Sequence, residues 1–174
     1  MLADHDRFAA IVTARVTQLE VVRRFWELGD ERAAVEALSR AKDAALSADF
    51  VSAVVGATPE AQPAPGKRLS LGTCGRVLPL IPALLRSPHR RHAEVGVAAA
   101  AGLLGAFGPV VAQQGGAAAG AGRSPDLAAE ERAERCAAAR QGFAALVGPL
   151  QELESRHGAS GAGPLRKARE LLQG

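Results

Sequence analysis

Residues 23–38 read RRFWELGDERAAVEAL and hold the only Trp of the chain. Apolar and basic side chains run up to Gly29-Asp30, and a second helical pattern begins immediately beyond them. Gly suits the left-handed position just past a helix end, and Asp suits the N-cap of the helix that follows. Leu28-Gly29-Asp30-Glu31 therefore predicts a tight joint between two antiparallel helices. The functional question starts here too. Trp26 lies one turn before the joint, and it is covered either by its own chain or by another protein.

On the N-terminal side, apolar side chains fall at Phe8, Ile11, Val12, Val16, Leu19, Val22 and Trp26. Steps of three and four trace one stripe along a helix of about 5–28. Val21, Phe25 and Leu28 widen that stripe towards a second face. On the C-terminal side, a helix of about 31–42 is expected to bury Ala34, Val35, Leu38 and Ala41. A third, about 47–56, is expected to start at Ser47 and carry Phe50, Val51, Val54 and Val55.

Three prolines and a glycine in ATPEAQPAPGKRL, 57–69, predict a loop and a seam, with flexibility over about 57–70. A fourth helix, about 71–86, has Pro79 and Pro82 inside its pattern, so a kink or a split is expected there. Ser87-Pro88 should open a fifth helix, about 88–112, with Ser87 as cap and Pro88 at the first position. Its uncharged run, 95–112, approaches membrane-span length but is mostly Ala and Gly, so it reads as a closely packed interior helix. The low-complexity stretch 113–124 should be flexible. The last long helix should be capped by Ser124 or Asp126 and bury Cys136, Ala139, Phe143, Leu146, Leu150 and Leu153. That spacing is a seam for neighbouring helices. A short helix, about 164–173, closes the chain. No alternating strand pattern of useful length appears. The expectation is a single all-α domain over 1–174: an antiparallel helical bundle or helical-repeat-like array of about six to seven helices.

The 174 residues suffice for one domain with a real core, and 48% are hydrophobic. Little in them points to catalysis. GAAAGAG has no Lys-Ser/Thr after it, and there is no HExxH and no GxSxG elbow. Cys74 and Cys136 form neither a CxxC nor a zinc spacing, and read as buried thiols of a reducing compartment. His89 and His92, with Glu94 near, are the one short His pair, and Arg90 and Arg91 beside them repel a cation. No metal and no cofactor is expected. The N-terminal MLADHDRFAA lacks the basic and apolar regions of a secretory leader. A small helical enzyme or ligand carrier would need a closed cavity with converging polar groups, for which the sequence has no sign.

Charge is unevenly distributed. The net is −2 over 1–56, +5 over 57–123 and 0 over 124–174. The densest basic part is RSPHRRH, 86–92, where Arg86, Arg90 and Arg91 form a candidate patch for an acidic partner. No aromatic side chain lies in that patch to stack bases, and no helix-turn-helix or RRM signature is present, so nucleic acid is the weaker choice.

The N-terminal stretch HDRFAAIVTARVTQLEVVRRFWELGDERAAVEAL, 5–38, resembles the start of the conserved C-terminal domain of the katanin regulatory, WD40-bearing subunits. His5, Asp6, Arg15, Leu19, Val22, Trp26, Gly29 and Asp30 occupy the family's places. TCGRVLPLIPALLRS (73–87), DLAAEERAERC (126–136) and SRHG (155–158) resemble later segments in the same order. The loop at 57–70 is longer and richer in Pro than in animal members, and Pro88 and extra Arg depart from the pattern. No WD40 signature is present, so the chain would be one domain of a larger WD40-containing protein.

The resemblance implies a helical, non-catalytic heterodimerisation domain that binds the N-terminal helical domain of the microtubule-severing ATPase subunit. It implies further partners in microtubules and in minus-end or spindle-pole proteins, no membrane, and a cytoplasmic place on the cytoskeleton at centrosome, spindle pole, basal body or cilium. Arg15, Leu19, Val22, Arg23 and Trp26 are the candidate partner-binding residues. Arg86, Arg90 and Arg91 are the candidate microtubule-binding residues. The alternative is a stand-alone basic helical adaptor for an acidic polymer, either tubulin tails or nucleic acid.

Overall fold

The computed structural model describes residues 2–56, 69–115, 127–157 and 162–173. Helices α1 (Leu2–Glu27), α2 (Glu31–Ala41) and α3 (Ala44–Val55) precede α4 (Leu71–Val77), a 3-10 turn (Leu78–Leu80) and α5 (Ile81–Arg86). Helices α6 (Arg90–Gly115), α7 (Leu127–His157) and α8 (Ala162–Gln173) complete the chain. Among the described residues there is no strand. The all-α expectation holds, and the additional helix comes from the split at the prolines.

The Gly29-Asp30 joint forms as read. Gly29 takes φ +81°, which only a residue without a Cβ adopts freely. Its N–H donates to the Trp26 carbonyl at 3.1 Å, and the Asp30 N–H donates to the Phe25 carbonyl at 2.9 Å. These two bonds close a Schellman motif. The Asp30 carboxylate then accepts from the Ala33 N–H at 3.0 Å and caps α2.

Two boundaries differ from expectation, at the starts of α3 and α6, and the split expected at the prolines is present. α3 starts at Ala44, because the Asp43 carboxylate accepts from the Ala45 and Leu46 N–H groups at 2.8 and 3.2 Å. Asp43 caps the helix first, and Ser47 lies buried inside it. The fourth helix is divided into α4, the 3-10 turn and α5, since Pro79 and Pro82 each remove an N–H from the ladder. α6 starts at Arg90 rather than Pro88. The Ser87 hydroxyl accepts from the His89 N–H at 3.2 Å and pairs with His92 Nδ1 at 2.9 Å, so Pro88 lies in the turn ahead of the helix. The expected caps Ser124 and Asp126 lie outside the described residues. So do most of the two loops expected to be flexible.

α6 and α7 form the spine. α6 packs against α3, α5, α7 and α8, and α7 packs against α4, α5, α6 and α8. By length and composition α6 could cross a membrane. Here α3, α4, α5, α7 and α8 pack on it, and Ala99, Ala100 and Leu103 are fully buried. The α7 seam is buried along its whole length: Cys136, Ala139, Phe143, Leu146, Leu150 and Leu153 are each 4% exposed or less. Burying each large apolar side chain contributes about 1.5–3 kcal/mol. At Gly142 the backbone of α7 comes so close that a Cβ would stand 2.7 Å from Leu78 Cδ1. Two arginines close helix ends from outside: Arg140 donates to the Leu172 carbonyl at 3.3 Å and Arg156 to the Leu85 carbonyl at 2.9 Å.

The α1–α2 hairpin meets this body through α2 on α4 and α1 on α3. α1 has 26 residues and α2 has 11, so their lengths are about 39 and 16 Å. The Arg15 guanidinium meets Asp43 at 3.1 Å, where α2 gives way to α3. The part of α1 before Arg15 projects past its neighbour. The expected stripe therefore buries only its last turns: Val22 is 2% exposed, whereas Phe8 is 66%, Ile11 52%, Val12 41% and Val16 49% exposed.

Candidate functional site

A groove of about 800 Å3 lies where the second half of α1 passes α3 and the start of α4. Val16, Leu19 and Trp26 form the α1 wall, and Phe50, Ala53 and Val54 form the α3 wall. Steps of three and seven on α1, and of three and four from Phe50 on α3, keep each wall on one helix face. Val22 and Phe50 are buried in the floor. Trp26 is partly buried and meets Phe50 edge-to-face, with ring centroids 5.3 Å apart and planes at 88°. Such pairs contribute about 0.5–1.5 kcal/mol beyond area burial. The indole is thus both a flank of the core and a wall of the groove.

The polar part of the groove is fixed by hydrogen bonds. Ser70 and Thr73 hydroxyls lie 2.8 Å apart, and Thr73 Oγ1 donates to Glu31 Oε1 at 2.8 Å. Arg76 stands 3.9 Å from the other Glu31 oxygen. At the near end of α3, burial works to raise the Asp43 carboxyl. The Leu46 and Ala45 N–H groups and the Arg15 guanidinium outweigh it and hold the group below the ordinary carboxylate value.

Of the residues read from sequence as partner-binding, Leu19, Val22, Arg23 and Trp26 line the groove. Their parts differ. Leu19 and Trp26 offer surface, Val22 is floor, and Arg23 is on the rim and bound to Glu27 at 2.7 Å. Arg15 does not line the groove; it fastens α1 to the α2–α3 joint. Sequence reasoning missed Glu20, Asp49, Ala53 and Leu69, and assigned Phe50 and Val54 to core alone. The pairing of α1 with α3 brings them in, and the available signal was the Phe50–Val54 spacing on a helix two joints away.

Arg86, Arg90 and Arg91 gather at the α5–α6 joint, but two are already paired. Arg86 meets Glu152 at 3.0 Å and Arg90 meets Glu94 at 2.7 Å. The Arg86 hydrogen bond lowers the Glu152 carboxyl below its ordinary value. Arg91 is exposed and has no ion-pair partner among the described residues. The rings of His89 and His92 are 5.0 Å apart, while Glu94 is held by Arg90. Burial lowers His92 below the ordinary imidazole value, with His89 adding to the effect. Among the described residues, no group of three or more His, Cys, Asp or Glu side chains could hold a metal ion. Burial pushes the Cys74 thiol up to about 12, which leaves it unreactive.

Comparison with known proteins finds relatives along most of the chain. The family model described as the con80 domain of Katanin matches residues 3–172. The chain is 32% identical over 135 residues to a katanin p80 WD40 repeat-containing subunit B1 homolog, KTN80.3, of Arabidopsis thaliana. That match covers 78% of this chain and 15% of the relative. A second Arabidopsis thaliana homolog of that name, KTN80.2, is 28% identical over 171 residues, covering 98% of this chain and 13% of the relative. The matched part of the chain is thus less than a sixth of the length of either relative. With a family model that matches almost every residue and relatives that align over most of the chain, the chain belongs to the con80 domain family of the katanin regulatory subunits.

Proposed function

We propose that this chain is the docking domain of a longer, WD40-bearing katanin regulatory subunit, and that it binds the N-terminal helical domain of the katanin ATPase subunit. The observation that carries this is the apolar surface of α1. Its apolar side chains recur at helical spacing from exposed Phe8 through Val16 and Leu19 to Trp26 in the groove, a length of about 27 Å. Exposed apolar surface of that extent is costly to leave in water and marks a protein contact. Trp at the edge of a well-packed cleft is a common binding anchor. In this reading Leu19, Val16 and Trp26 make the contact, Val22 supports them from below, and Arg15 holds the helix in place. The role is assembly rather than catalysis, and the place is the cytoskeleton.

The test is titration of the chain with that N-terminal domain. Val16→Asp, at a half-exposed position, should weaken binding more than tenfold with the melting curve unchanged, and Trp26→Ala should weaken it similarly. Binding within twofold of wild type for both variants would remove the groove from the interface.

The basic joint carries the second part of the proposal, which is help in targeting microtubules. Arg86, Arg90, Arg91 and Arg156 outnumber Glu94 and Glu152 there, so positive charge remains to meet acidic tubulin tails or another acidic polymer. Arg91→Glu alone, and together with Arg86→Glu and Arg90→Glu, should reduce co-sedimentation of the regulatory–catalytic complex with microtubules. Unchanged sedimentation of the triple variant refutes this part and leaves docking intact.

A further inference from the structure

Among the described residues, the groove has an apolar floor and a rim on which carboxylates predominate. Glu20, Glu27, Glu31 and Asp49 line it against Arg23, the one basic side chain among its described lining residues. Arg23 is bound to Glu27 at 2.7 Å, and Glu31 is bound to Arg76 and the Thr73 hydroxyl. Glu20 and Asp49 have no hydrogen-bond or ion-pair partner among the described residues. They stand on opposite walls: Glu20 follows Leu19 on α1, and Asp49 precedes Phe50 on α3. Two carboxylates outside any close salt bridge thus flank the cleft, Glu20 in the field of Arg23 and Asp49 in that of His92.

We propose that this rim selects a cationic amphipathic helix. It would have about five turns, matching the distance from Phe8 to Trp26, with an apolar stripe and with Lys or Arg along both of its flanks. The inference rests on the docking reading and adds the charge and shape of what docks. Apolar burial supplies most of the affinity, while complementary charge at the edge sets orientation, partner choice and association rate. A second copy of this chain fits poorly. A two-fold contact would set the same rim against itself, bringing like charges together.

The experiment titrates the 174-residue chain with the ATPase subunit's N-terminal domain at about 50 mM and about 300 mM salt, where screening differs by more than twofold in length. Wild-type affinity should fall about fivefold or more across that range. Glu20→Lys with Asp49→Lys should weaken binding about tenfold at low salt and abolish the salt dependence. Glu20→Gln with Asp49→Asn should lie between. Both positions are on exposed helix surface, so melting curves of all variants should coincide. If the charge-reversed variant binds within twofold of wild type while Trp26→Ala binds weakly, the selectivity is wrong and docking stands. Failure of the wild type to bind overturns both. Self-association in light scattering that Trp26→Ala abolishes makes a second copy the occupant and overturns the proposal.

Discussion

Phe8 is the cleanest place to ask whether the projecting half of α1 is an interface. A Phe side chain presents roughly 150–250 Å2. Phe8 is 66% exposed, so about 130 Å2 of it is open to a partner. At about 25 cal/mol per Å2 that area corresponds to about 3 kcal/mol on full burial. Ala in its place would still bury about a third of the area, which leaves a loss of about 2 kcal/mol, or about thirtyfold in Kd. The same substitution removes no contact from the folded core. Ala is also the stronger helix former, so the chain's own Tm should hold or rise slightly. Calorimetric titration of Phe8→Ala against the ATPase subunit's N-terminal domain, alongside a thermal melt of the isolated chain, separates the two effects. Affinity within twofold of wild type would show that the stripe ends before Phe8. A drop of several degrees in Tm would show that Phe8 packs on its own chain, contrary to its exposure.

Other perturbations address the scaffold. Gly142→Ala drives a Cβ to within 2.7 Å of Leu78 Cδ1 and 2.9 Å of its Cβ. Leu78 is fully buried, so overpacking of about 1–3 kcal/mol should exceed the gain of about 1 kcal/mol in helix propensity and lower the Tm in calorimetry. Gly148→Ala, on the same helix with nothing within 4 Å of the added Cβ, should raise it. The lowered Asp43 carboxyl contributes stability that is present above its unfolded value of about 3.9 and is lost as pH falls through the folded value. Asp43→Asn keeps a capping oxygen but lacks the charge, so denaturant melts between about pH 5 and 2 should show a shallower acid decline than wild type. Cys74 and Cys136 are both buried, so a disulfide dye at pH 8 should find no fast thiol until denaturant is added.

The parts of the fold legible in sequence were those decided within a few residues. Gly29-Asp30 announces its turn because the chemistry of one helix end and the next cap is complete in two adjacent side chains. The seam from Cys136 to Leu153 is legible because every member faces inward. Pro79 and Pro82 break their helix for reasons contained in the proline ring. At the start of α3 the cap is Asp43, four residues ahead of the Ser47 start expected from sequence, and this carboxylate also meets Arg15 from α1. That contact spans 28 residues and no local pattern records it. The site was half legible for a related reason. Periodicity reveals that a helix has an apolar face, but not how much of it a neighbour is long enough to cover. The α1 wall was found from its own spacing. The α3 wall, and the carboxylates on both, became visible only when the helices were set side by side. The basic run at 86–92 shows the same limit, because Glu152, which pairs with Arg86, is 66 residues distant and no local pattern records how much of the charge is already compensated.

The joint at Gly29-Asp30 also has a mechanical meaning. One residue closes α1 from behind and opens α2 from in front, so no slack lies between the two rods. A load applied to the projecting half of α1 does not meet a long linker at the joint. It passes as torque through the hairpin to the Trp26–Phe50 contact and to the Arg15–Asp43 tie, and from there into the spine. A partner on the projecting half of α1 is therefore linked to the spine through side chains that also hold the fold together.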